Sequence, residues 1–187
     1  MPSLFRKRKG GLEMFDFFKR EKKPNPDASR LLASILVVYP TIQSVTYDSK
    51  DDILELSFAL SGKFSHDDFE DFLKYVAESV ETLHYLENLY GASIELNVEG
   101  IYGTYFLNVR RDMATLTCKE LSLLTEMTSN YFGDKLIEDT DSSISDEEYL
   151  IEQEDYLEQC LSNIRQLRVE GKLVGVREQE RVVIYNR

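Results

Sequence analysis

The chain has no tryptophan, only two histidines and two cysteines, and just four prolines, and each shortage excludes something. Cys118 and Cys160 stand far apart and outside any C-x-x-C spacing, so neither a disulfide framework nor a zinc site is expected. A thiol-poor, bridge-free chain suits a reducing compartment, and the expected location is cytoplasmic. Neither His66 nor His84 sits in an H-E-x-x-H arrangement; His66 opens a helix, His84 holds a polar position, and both are expected on the surface. The sequence also lacks a G-x-S-x-G elbow, a G-x-x-x-x-G-K-[ST] loop and a G-x-G-x-x-G turn. The expected protein is therefore not an enzyme, and neither a cofactor nor a metal is expected.

Long apolar runs are missing too. The longest, Leu31 to Tyr39 with Ser34 inside it, falls well short of the roughly 18 to 20 residues that span a bilayer. The opening MPSLFRKRKGGLE is basic but has no apolar stretch of the secretory kind, so no signal peptide is expected.

What the chain has in quantity is acid. Its net charge is -12, but residues 1–23 carry eight basic and three acidic side chains, giving +5, and residues 163–187 carry +3. The intervening body therefore holds -20, a charge that repels nucleic acid and anionic lipid while leaving both ends able to touch them. With 11 tyrosines and 10 phenylalanines in 187 residues, the chain has ample material for one sizeable core.

Three stretches share one pattern of apolar, Ser/Thr, two residues, Asp/Glu, apolar: Phe64–Phe69, Leu116–Leu121 and Ile144–Tyr149. In such a capping box the hydroxyl accepts from the third helical amide, the carboxylate reaches back, and the apolar pair clamps the entry. The pattern predicts three helix starts, at Ser65, Thr117 and Ser145. Strand-like runs precede the first two. Ile42 to Tyr47 and Ile53 to Leu60 flank a turn at Asp48–Asp52, and Ala92 to Val98 and Tyr102 to Val109 flank Glu99-Gly100-Ile101. The chain thus reads as an α+β protein: a ββαββα repeat forming a four-stranded antiparallel sheet with helices on one face. A helix over Ser29 to Tyr39 precedes it, with a strand for part of that run as the alternative, and a helix plus β-hairpin follows. The expected division is a mobile basic-aromatic segment at 1–24, an α+β body at 25–137, an acidic linker at 138–147 and a C-terminal piece at 148–187.

Individual motifs favour structure over chemistry. Counting a calcium loop from Asp139 or from Asp141 puts Ile144 or Asp146 where glycine is required, so neither register is an EF-hand. The acids Asp67, Asp68, Glu70 and Asp71 crowd a first helical turn, where the helix dipole favours anions. Cys118, at the start of a helix, could have its thiol pKa lowered by the same dipole, which makes it the thiol to test. A lone cysteine without a histidine partner is nonetheless usually structural.

Two segments suggest contacts. Leu12, Phe15 and Phe18 share a helical face just ahead of Lys19 and Arg20, a composition suited to a partner's groove or an anionic membrane surface. Near the other end, Leu161 to Arg168 followed by Lys172, Arg177 and Arg181 to Tyr185 resembles the recognition helix and wing of winged-helix regulators. That resemblance implies nucleic-acid contact through Arg165, Arg168, Lys172, Arg177 and Arg181. It departs upstream, where no glycine-containing turn makes a helix-turn-helix and six acids would face the phosphates. The order of elements is similar to type III secretion chaperone and YbjN-like folds, which implies binding to other proteins and dimerisation. The leading expectation is a non-enzymatic protein-interaction module, an adaptor, chaperone or assembly factor with an N-terminal attachment segment. Its expected partner is another protein, with room for peripheral membrane contact and a homodimer; a nucleic-acid regulator is the first alternative and an unrecognised enzyme the second.

Overall fold

The computed structural model describes residues 25–138, 147–166, 171–178 and 181–187. Asn25 starts the first helix, α1 (Pro26–Val38), by accepting from the amides of Asp27 and Ala28, and Pro26 fits the first helical position because no intrahelical bond needs its nitrogen. The run that left little polar face is a helix rather than a strand. Leu31, Leu32, Ile35 and Leu36 are all fully buried.

Strands β1 (Ile42–Asp48) and β2 (Ile53–Ser61) form the first hairpin, followed by helix α2 (His66–Leu86). Strands β3 (Ile94–Ile101) and β4 (Thr104–Asp112) form the second, followed by helix α3 (Cys118–Phe132). Helix α4 (Glu147–Gln166) and the hairpin of β5 (Lys172–Glu178) and β6 (Arg181–Asn186) complete the order. The class is α+β, as the sequence predicts, but the sheet is larger than expected. All six strands join one antiparallel sheet in the order β3-β4-β2-β1-β5-β6.

The four-stranded expectation fails because β1 has two partners. Its register runs Tyr47 with Leu54 on one side and Tyr47 with Leu173 on the other. The C-terminal hairpin supplies that second partner, placing Val45, Tyr47, Leu173 and Gly175 on the helix-covered face. Gly175 lets α1 come down on the sheet there: a Cβ at this position would lie 3.0 Å from Ile184 Cδ1, 3.1 Å from Leu36 Cδ1 and 3.3 Å from Leu32 Cβ. α4 packs across α1 and touches α3, adding Leu157, Leu161 and Ile164 to one continuous core.

The second hairpin turns two residues later than the sequence suggests. Gly100 stays inside β3, and the loop is Tyr102-Gly103, with φ of 51° and 85°. Positive φ at both central residues is the two-residue turn whose twist matches antiparallel strands, so β3 gains length at the sheet edge. Helix α2 likewise ends before Gly91: Asn88, with φ of 56°, takes the left-handed position that closes it.

Candidate functional site

Two polar or open features stand out among the described residues, one sealed inside the core and one along the sheet edge. The sealed one is built on Arg111 of β4. Its helix-facing position, opposite Leu54 and Ile94, would ordinarily hold an apolar residue. The guanidinium is buried, and its Nε and Nη2 both donate to the Glu120 carboxylate, the Nη2 to Oε2 distance being 3.0 Å. Nη2 also donates to Thr115 Oγ1 at 3.0 Å, and Nη1 donates to Asp112 Oδ1 and the Ser93 carbonyl. His84 Nε2 lies 2.8 Å from Glu120 Oε2 and 3.3 Å from Arg111 Nη2.

Electrostatics follow from that packing. Burial works against the charged form of Arg111, yet its bonds to Glu120 and Asp112 outweigh it and raise the pKa further. Burial also opposes ionisation of Asp112, but the Thr115 hydroxyl, the Ser93 amide and Arg111 hold its carboxyl at about 2. Each donor of the guanidinium is spent on Glu120 of α3, Asp112 of β4, Thr115 in the loop after β4 or the Ser93 carbonyl just before β3. The cluster therefore pins the end of α2 and the start of α3 onto β4.

This arrangement corrects two expectations. His84 is buried, because Val76, Val80 and His84 repeat at four-residue spacing on the stripe α2 turns inward. The Thr117 cap keeps only half of its box: Thr117 Oγ1 accepts from the Glu120 amide at 3.3 Å, while the Glu120 carboxylate turns into the core. His66 lies on the surface as expected, 2.9 Å from Glu70. Cys118 is the opposite of an activated thiol. Burial, then Glu158 and Glu154, push its pKa well up.

The open feature lies between β3 and the first half of α2. β3 ends the sheet and pairs only with β4, so among the described residues its outer row of amides and carbonyls has no strand partner. Beside it runs a groove of about 380 Å³, walled by Phe69 and Leu73 of α2 and by Leu96 and Val98 of β3. Phe64 closes one end, its ring 5.3 Å from that of Tyr105 and 5.0 Å from that of Phe69, with Lys135 Nζ 4.9 Å above it. Gly100 forms part of the floor; a Cβ there would come within 3.3 Å of the Tyr105 ring, so a larger residue would fill the space. At the hairpin tip beyond, Ile101 and Tyr102 are exposed. The capping box of Ser65 is complete, with the Ser65 amide donating to Asp68 at 2.8 Å and the Asp68 amide donating to Ser65 Oγ at 3.2 Å. It fixes where α2 begins, and so the height of the groove's wall.

The remaining residues singled out by sequence lie elsewhere. Leu12, Phe15, Phe18, Lys19 and Arg20, like Arg168 and the cap at Ser145, fall outside the described residues. Arg165 turns inward and donates to the carbonyls of Met113, at 3.0 Å, and Leu116. Arg177 donates to the Leu36 carbonyl, Lys172 lies 3.6 Å from Asp48, and Arg181 lies 3.7 Å from Glu178. β5 is an interior strand, whereas a wing projects. No described helix is long and apolar enough to cross a membrane. No protein-family profile matches the chain, and comparison with curated proteins and with solved structures returns no match.

Proposed function

We propose that this protein is a non-enzymatic interaction module, an adaptor or chaperone-like assembly factor, that takes up an extended segment of another protein along β3. The observation that carries the reading is the meeting of an unpaired strand edge with an apolar groove, since edge amides supply affinity and an adjoining groove selects alternate side chains. A row of unpaired backbone groups is a template for another strand, and β3 has neither a bulge nor a proline to blunt it. The sealed cluster supports the same reading. Arg111 and Glu120 are occupied with each other and with His84, so the chemistry-bearing groups of the core anchor the C-terminal end of α2, the helix whose first half walls the groove. A separate tether through Leu12, Phe15, Phe18, Lys19 and Arg20 belongs to the proposal on sequence grounds. Binding of nucleic acid by Arg165, Lys172, Arg177 and Arg181 is disfavoured, because each reaches a protein acceptor.

The test is selection of extended peptides from a random display library on the full chain, followed by amide hydrogen exchange. A selected peptide should slow exchange along Ile94–Ile101, and Gly100→Leu, which fills the floor, should weaken it at least tenfold. Leu73→Arg, on the opposite wall, should do the same with the fold intact by circular dichroism. If no peptide is enriched, or enriched peptides protect some other strand, the reading is wrong.

A further inference from the structure

Resting on that reading, we infer that the segment β3 accepts is basic, with lysine or arginine alternating with apolar side chains. The alternation follows from the strand itself. Ile94, Leu96, Val98 and Gly100 face the helices and the groove, while Glu95, Asn97 and Glu99 face the other side of the sheet. An added strand would place every second side chain against the groove and the others beside Glu95 and Glu99.

Charge then chooses the partner. β3 carries two glutamates and no base, both on the face away from the helices, and α2 on the other face adds only a general negative field, with Asp67, Asp68, Glu70, Asp71, Glu78 and Glu81 against Lys74. Glu95 is met by Arg110 at 2.8 Å, but Arg110 also lies 3.4 Å from Glu55, so one cation is shared between two acids. Among the described residues Glu99 accepts a bond only from the neutral Asn97 amide, at 3.1 Å. Opposite charges across a strand pair stabilise it and like charges destabilise it.

The same rule turns away a second copy of this chain. Two β3 strands paired antiparallel about Asn97 would set Glu95 against Glu99 twice, with both α2 helices adding acid nearby. A basic strand meets no such repulsion, and its lysines or arginines would relieve the excess acid of the rim.

The experiment compares three synthetic peptides that share apolar residues at alternate positions and differ at the others, bearing lysine, serine or glutamate. Binding to the full chain is measured by fluorescence anisotropy at low salt. The lysine peptide should bind at least tenfold tighter than the serine peptide, and added salt should erase that difference. In Glu95→Lys/Glu99→Lys the order should reverse, the glutamate peptide becoming the tighter ligand. Glu95→Gln/Glu99→Gln, which alters no side-chain size, should cut the lysine peptide's advantage over the serine peptide at least threefold. Equal binding of all three peptides to the wild type overturns the inference while leaving the groove as a peptide site. Binding of none of them, or a β3–β3 homodimer in solution, overturns it together with the reading beneath it.

Discussion

Glu120 and Arg111 form a two-pronged ion pair inside the core, with Arg111 Nη2 donating to Glu120 Oε2 at 3.0 Å and neither side chain reaching solvent. A pair of this kind is costly to break on one side only, because the surviving charge keeps its desolvation penalty and loses its partner.

Glu120→Ala should therefore destabilise the fold by roughly 3 to 5 kcal/mol, as removal of one member of a buried pair does. Replacing both, Arg111→Met with Glu120→Leu, should cost less than Glu120→Ala alone. Urea denaturation of the three variants gives the comparison, and a double variant less stable than the single one would mean the pair contributes more than its desolvation costs.

Acid should act through Asp112. Its folded carboxyl titrates at about 2 against 3.8 for the free side chain, so its contribution is fully present above the unfolded value and is lost as pH falls through the folded one. Stability should drop by about 2 kcal/mol between about pH 4 and pH 2 from this group, because each tenfold change in proton affinity is worth roughly 1.4 kcal/mol and solvent screens part of the carboxylate. Asp112→Asn should flatten that part of the profile while lowering stability near neutrality.

Cys118 should be a slow thiol. At pH 8 its reaction with a soluble disulfide should run at least tenfold slower than that of an unstructured cysteine peptide, because burial and the two glutamates of α4 oppose the thiolate. Glu158→Gln removes one of those charges and should speed the reaction. A wild-type rate matching the peptide would show that the helix dipole prevails after all.

Gly175→Val should disrupt the junction of α1 with the sheet. Space above it is closed by Leu32, Leu36 and Ile184 at 3.0 to 3.3 Å from where a Cβ would stand, so added methyls must displace α1. Overpacking of this kind costs about 1 to 3 kcal/mol, readable as a lowered denaturation midpoint.

The parts of this fold that the sequence discloses are those with a local signature. Alternation in Ile53–Leu60 marks a strand, the Ser65 box marks a helix start, and the stripe Phe69, Phe72, Val76, Val80 marks the buried side of that helix. The β1–β5 pairing has no such mark, since antiparallel partners leave no trace in the spacing of one strand, and the C-terminal hairpin therefore reads as a separate piece. The second turn misled for a different reason: Gly100 looks like a loop residue, yet it is small because Tyr105 lies over it. The sealed cluster hid behind its own disguise. Glu120 occupies the place of an ordinary capping carboxylate, and Arg111 stands in a run of strand residues beside the surface Arg110. A signal was there in the alternation, because Leu107, Val109 and Arg111 share one face, and a charge on an inward face demands a partner. The groove was half legible, through the faces of Leu96, Val98, Phe69 and Leu73, but the edge position of β3 comes only from the strand order.

The late closure of the sheet has a consequence for synthesis. Arg177 bonds the Leu36 carbonyl across 141 positions, and β1 meets β5 only when residues 172–178 are made. A ribosome therefore releases α1 and the first hairpin long before the strand that covers the second side of β1 exists. Through that interval the nascent chain presents a bare strand and the apolar underside of α1 together, the combination most prone to sticking to other chains. A premature stop anywhere before residue 172 would make that exposure permanent, so shortened products of this gene should be found in the insoluble fraction or degraded.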